Sequence, residues 1–172
     1  MNKQLEEIVV RQIKKLRQKC GATCMFVPIG RIGVKFYHSA KARDWAFAVQ
    51  KYAALFDLAP RCCNLFETDN EFIVWHYDLE MDQMDLSGQT KAYGFITQRA
   101  RMPKRTAVLE NSTERKRRLK ITRKLREIGI YHEDIHEENY GHLNGRLVCI
   151  DFDMECCRLE NEESVMLDVG MA

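Results

Sequence analysis

Six side chains that accept hydrogen bonds or ligate metal ions crowd into one 22-residue stretch: His132, Asp134, His136, Asn139, Asp151 and Asp153. They lie in GIYHEDIHEENYGHLNGRLVCIDFD, where a polar loop is followed by a turn at Asn144-Gly145 and the apolar strand RLVCID. Such density costs stability unless water solvates it or chemistry uses it. Two chemistries suit these residue types. Oxygen donors such as Asp and Asn hold hard cations that neutralise charge on a transferring phosphoryl group, while a carboxylate positions an attacking hydroxyl. Alternatively, His132, Asp134 and His136 alternate along an extended loop, which directs all three to one side, and His with Asp suits the Zn²⁺ or Mn²⁺ of a hydrolase.

The order H-x-D-x-H-x-x-N, then a strand ending I-D-F-D, resembles the catalytic loop of the protein-kinase-like superfamily, in particular its aminoglycoside phosphotransferase, choline kinase and lipopolysaccharide kinase branches. The resemblance implies an ATP- and Mg²⁺-dependent phosphotransferase acting on a hydroxyl acceptor, either a protein or a small molecule. On the family pattern Asp134 accepts or orients the proton of the attacking hydroxyl, Asn139 binds Mg²⁺, and Asp151 bridges the nucleotide phosphates through metal. His132 and His136 are implied to brace the loop. Asp153 either meets a second metal or caps the next turn. The family order of strand, loop and strand argues against the His-Asp-His hydrolase.

The elements that must position these residues follow from periodicity. Leu5, Ile8, Val9, Ile13 and Leu16 predict an amphipathic helix over about 3 to 19, ending near Gly21. CMFVPIGRIGVKFYHS predicts two strands joined by a tight turn, with Lys35 in the second. Trp45, Ala48, Val49, Tyr52, Ala53 and Leu55 share one face of a helix over about 40 to 56, which stops before Pro60. CCNLFETDNEFIVWHYD predicts a hairpin around Glu67-Thr68-Asp69-Asn70. Between Leu79 and Asn111 the periodicity is poor and nothing chemical stands out. TERKRRLKITRKLREI predicts a helix over about 113 to 128, with Gly129 as its C-terminal stop.

Together these give an α+β domain of kinase-like, two-lobed type: an N-terminal helix (1–20), an N-terminal lobe of small antiparallel sheet with one helix (21–79), and a reduced helical C-terminal lobe with the catalytic loop (80–172). The resemblance spans roughly 22 to 155 and implies ATP between the lobes and a hinge near 76 to 80. Lys35, on its own an ordinary strand-edge lysine, is then the cation that pairs the α- and β-phosphates, and Tyr77, Asp78 and Leu79 lie near the adenine. The chain departs from the family in three places. The segment around Pro28, Gly30 and Gly33 is too compact for a full G-x-G-x-x-G loop. The helix after Lys35 offers only Asp44, or Gln50 as a polar stand-in, where the family has a Glu. Only 21 residues follow Asp151. These departures carry an alternative: a pseudokinase or binding module that recruits a partner.

Composition narrows the classes further. The 172 residues are 45% hydrophobic with nine Gly and three Pro, which suits one folded domain and excludes general disorder. No run reaches the roughly 20 apolar residues of a membrane span, and charges interrupt the N-terminus where a signal peptide is apolar, so a cytoplasmic protein without a membrane span is expected. Seven cysteines, with adjacent pairs Cys62-Cys63 and Cys156-Cys157, form an odd set that reads as reduced thiols, buried or incidental. Cys20 and Cys24 share a turn, but no second pair completes a zinc finger. From Arg99 to Arg126 twelve Lys/Arg face two Glu, whereas from Glu127 to Ala172 two Arg face twelve Asp/Glu. The basic helix over 113 to 126 offers a contact for an acidic protein or a nucleic acid, although no aromatic residues interleave its charges.

Overall fold

The computed structural model describes residues 1–15, 24–80, 90–102 and 112–171, with the side chains of 77–80 and 112 outside that description. The elements begin α1 (Lys3–Ile13), β1 (Met25–Ile29), β2 (Ile32–Tyr37), α2 (Ala40–Leu55), β3 (Cys62–Thr68), α3 (Glu71–Glu80) and β4 (Ala92–Gln98). They continue α4 (Ser112–Glu127), β5 (Ile130–His132), a 3₁₀ turn at Glu137–Asn139, β6 (Tyr140–Leu143), β7 (Arg146–Cys149), β8 (Cys157–Leu159) and α5 (Glu162–Asp168). This is a mixed α+β protein. Its chain divides into two compact units, Met1–Asp44 with Cys62–Arg99, and Trp45–Arg61 with Ala100–Ala172. Among the described residues no helix is long and apolar enough to cross a membrane.

The first unit is built on an antiparallel sheet of order β1-β2-β4-β3. A two-residue turn, Gly30-Arg31, joins β1 to β2, and Gly30 takes the left-handed φ of 61° at the first central position. Val9 and Ile13 of α1 pack with Met25, Val27, Val34, Phe36, Ile73 and Ala92. Asn2 caps α1 by accepting from Leu5 N–H at 2.8 Å. The helix ends at Ile13, where the N–H of Lys15 closes onto Gln12 O in a tighter turn, and residues 16 to 19 of the expected helix lie outside the described residues.

The hairpin expected over CCNLFETDNEFIVWHYD does not form: its first apolar run is β3, and its second is α3. Asn70 decides this, since its Oδ1 accepts from Ile73 N–H at 3.2 Å and its carbonyl accepts from Val74 N–H at 3.0 Å, which starts a helix instead of a turn. Residues 76 to 80, expected as a hinge, are accordingly the last turns of α3. The partner of β3 is β4, drawn from the stretch without periodicity and lying beyond the 21–79 span. Gly94 lets these strands close, since a Cβ there meets Lys35 O at 2.6 Å and the Phe66 ring at 2.7 Å.

The second unit packs Val49 and Ala53 of α2 with Leu58, Leu125, Ile130, Tyr140, Cys149, Phe152 and Cys157. Each buried Val, Leu, Ile or Phe among these contributes about 1.5–3 kcal/mol relative to exposure. Leu55, expected on the buried face of α2, is 64% exposed. Gly129 ends α4 with φ 80°, as its place after the last apolar residue implies. β5 pairs with β8, and β6 pairs with β7 across Asn144 (φ 51°) and Gly145 (φ 80°), a type I′ turn.

Candidate active site

β5 delivers His132 into the interior, where the ring lies 6.1 Å from that of Tyr140 and meets Phe152 edge to face at 6.2 Å. Tyr140 is itself fixed by a 2.8 Å bond between its hydroxyl and Thr122 Oγ1 on α4. The chain then leaves the core. Asp134 is exposed, and its two carboxylate oxygens divide their work: Oδ1 accepts from His136 N–H at 3.2 Å, and Oδ2 accepts from Asn139 Nδ2 at 2.8 Å. Asn139 Nδ2 also donates to Asp134 O at 3.2 Å. This is a short Asx-type loop closed on itself.

Asn139 is buried and ties the loop to the next strand, because its carbonyl accepts from Ile150 N–H at 2.9 Å, immediately before Asp151. The carbonyl of Asp151 lies 2.9 Å from His132 Nε2 and accepts from Cys149 Sγ at 3.3 Å. The Asn139 side chain therefore binds Asp134, and its backbone carbonyl holds Ile150, the residue before Asp151, within the second unit. Asp151 Oδ1 is buried and has no hydrogen-bond partner among the described residues. An acceptor in that state costs about 1–3 kcal/mol unless a cation or donor meets it. With the Asn139 amide nitrogen committed to Asp134, its oxygen is the atom left to ligate. Both residues thus offer oxygen, the donor type that a hard divalent cation takes.

The His-Asp-His hydrolase arrangement is not formed, because His132 is buried whereas Asp134 and His136 are exposed. His136 instead caps the 3₁₀ turn, its Nδ1 accepting from Glu138 N–H at 3.4 Å. Asp153 is buried, and its carbonyl closes the following turn by accepting from Cys156 N–H at 3.1 Å and Cys157 N–H at 3.0 Å.

The remaining candidates belong to the first unit. Lys35 is 6% exposed, on the inner strand β2 between β1 and β4, so it is not a strand-edge lysine; its Nζ lies 5.9 Å from the Phe95 ring centroid. Asp44 is engaged by Arg43 at 2.8 Å. In the second unit, Gln50 Nε2 donates to Pro60 O at 2.9 Å. The backbone of Tyr77, Asp78 and Leu79 lies in α3, and their side chains fall outside the described residues, as does Cys20.

The linear motif does not reveal the sulfur around His132. Burial lowers this imidazole's pKa, but hydrogen bonds and charge from Cys149 and Cys156 outweigh it and push the value up to about 11. Conversely, the hydrogen bond from Cys157, with help from His132, brings the Cys156 thiol down to about 6. Cys157 moves up, through its bond to Cys156 and its burial. The available signal was register: a Cys-Cys pair just past I-D-F-D, in a strand that returns to pair with the histidine strand. No family model matches the chain, and no curated protein matches it.

Proposed function

We propose that the chain is an ATP- and Mg²⁺-dependent phosphotransferase with a protein-kinase-like arrangement, acting on a hydroxyl acceptor. The observation that supports this reading is the bonding of Asp134 to Asn139, and of Asn139 to the residue before Asp151, with a buried oxygen on Asp151 that has no partner among the described residues. In this reading Asp134 receives the acceptor hydroxyl, its carboxylate held still by His136 N–H and the Asn139 amide. Asn139 and Asp151 hold Mg²⁺, whose charge neutralises the phosphate oxygens when bound. His132 braces Asp151 through its carbonyl, which keeps the carboxylate from drifting. Lys35 is assigned to the nucleotide phosphates, and Tyr77, Asp78 and Leu79 to the adenine, on the family pattern alone.

A thermal-shift titration with ATP and Mg²⁺, run beside Asp151→Ala, tests the reading. Ligand at a hundred times its dissociation constant adds about 2.7 kcal/mol of stability. The expected result is a Mg²⁺-dependent rise in Tm that the variant loses. No rise at millimolar ATP overturns the proposal.

One observation favours a second reading, a pseudokinase or binding module. Only Gly30 and Arg31 separate β1 from β2, which leaves no glycine-rich loop to cover phosphates. That reading predicts nucleotide binding at most, without transfer, and gives α4 the work: Arg115, Lys116, Lys120, Arg123 and Lys124 are exposed along it and suit an acidic protein or nucleic-acid partner. Binding that survives high salt excludes the nucleic acid.

A further inference from the structure

The sulfur cluster beneath the catalytic loop is not used by phosphoryl transfer. His132, Cys156 and Cys157 place one ligand atom each within 4.8 Å of one another, with His132 and Cys157 buried and Cys156 half-buried. We propose that His132, Cys156 and Cys157 form a binding site for a thiophilic d¹⁰ cation, Zn²⁺ above all, that pins β8 to β5.

Three observations support this. First, the spacing of the two sulfurs is that of a metal tetrahedron. With Zn–S bonds of about 2.3 Å, two thiolates on one zinc stand about 3.8 Å apart. Cys156 Sγ and Cys157 Sγ are 3.7 Å apart, and Cys156 Sγ is 4.0 Å from His132 Nε2. Second, the imidazole already offers an atom to the sulfurs: Nε2 stands 4.0 Å from Cys156 Sγ, and ligation of a metal gives up its contact to Asp151 O. That carbonyl keeps the Cys149 thiol as a donor at 3.3 Å. Third, the backbone is already set: His132 and Cys157 are cross-strand partners, and the Asp153 carbonyl closes the turn that presents both cysteines. Two thiolates and an imidazole are soft and borderline donors that favour Zn²⁺ and discriminate against the hard Mg²⁺ assigned to Asn139 and Asp151. Water supplies the fourth ligand, and binding leaves two thiolates and a neutral ring, the protons of the Cys157 thiol and the His132 imidazolium departing for each ion bound.

Cobalt substitution of the chelator-stripped full chain tests the site without reference to phosphotransferase activity. One equivalent of Co²⁺ should give thiolate-to-cobalt charge-transfer bands with the intense visible bands of tetrahedral coordination, and Zn²⁺ should bleach both. The spectrum should persist in a variant with Cys20, Cys24, Cys62 and Cys63 all changed to Ser, and disappear in Cys156→Ser/Cys157→Ser, with circular dichroism reporting the fold of each. His132→Gln should keep charge transfer but change the visible bands. If the unmodified chain gives no charge-transfer band, or if the first variant loses it while remaining folded, the assignment is overturned. The first of these outcomes does not depend on any variant folding.

Discussion

The loop from Ile130 to Asp153 and the hairpin from Met25 to Tyr37 each carry a residue assigned to phosphate chemistry, and they hold it by different means. In the loop, polar groups close on near neighbours: Asp134 on His136 and Asn139, Asn139 on Ile150, His132 on Asp151. In the hairpin, Lys35 is placed by ladder bonds to two flanking strands, opposite Phe26 on one side and Phe95 on the other. Side chains specify the first arrangement, and backbone pairing specifies the second. Changes to side-chain chemistry should therefore disturb the loop's geometry, whereas the hairpin should keep its geometry when the lysine is replaced.

Lys35→Met is the most severe test of that contrast. Methionine matches the aliphatic stem and leaves the ladder bonds of β2 to β1 and β4 in place, so the chain should stay folded by circular dichroism. ATP turnover, read as ADP formation, should nevertheless disappear; full turnover removes Lys35 from the phosphate role. Asp134→Asn should lower ADP formation by about 10²–10⁴-fold, the usual worth of a positioned acid–base group. It should leave the ATP-dependent Tm shift intact, and unchanged turnover refutes the role of Asp134.

Phe152→Ala probes the floor of the loop rather than its chemistry. The ring is fully buried against His132, and its truncation should cost about 3–5 kcal/mol in urea unfolding. A loss under 1 kcal/mol would show that the I-D-F-D aromatic does not support the histidine.

The same contrast explains how much could be read from the sequence. The loop, the Asn144-Gly145 turn, the Gly129 stop and the lysine strand were legible because each is encoded within a few residues. The hairpin at 62–78 was misread because Asn70 suits a turn and a helix cap equally, and only the cap leaves β3 to find another partner. β4 stayed invisible because its pairing lies with strands remote in sequence, and Gly94 at its centre reads as a breaker until Lys35 and Phe66 are seen to need the space. At the candidate site, Asp134, Asn139 and Asp151 were visible as spacing. The cysteines were not, since only the β5–β8 register brings Cys157 opposite His132.

The pH dependence of that cluster is a smaller effect with a definite sign. A thiol held down at about 6, from 9.0 unfolded, stabilises the fold fully above pH 9 and loses that contribution as pH falls through about 6. An imidazole held up at about 11, from 6.5 unfolded, contributes fully below pH 6.5 and loses it as pH rises through about 11. The two slopes oppose each other between pH 6.5 and 9, so stability should be flat there and fall above 9. In the chelator-stripped chain, alkylation of Cys156 followed by peptide mass spectrometry should show a midpoint near pH 6; a midpoint near 9 removes the imidazolium–thiolate pair.

The smallest effect returns the comparison to the backbone. Gly30 and Gly145 occupy the two hairpin turns with φ of 61° and 80°, and a Cβ added at either meets nothing within 4 Å. Alanine at each therefore pays backbone strain alone, about 1–2 kcal/mol in the left-handed region. Urea midpoints should fall for both and further for Gly30→Ala, because Gly30 precedes Arg31, which has no positive φ, and so holds the type II′ place that only glycine suits, whereas Gly145 follows Asn144 in a type I′ turn. Equal losses would show that the ladder of the first hairpin, and not its turn residue, fixes the register.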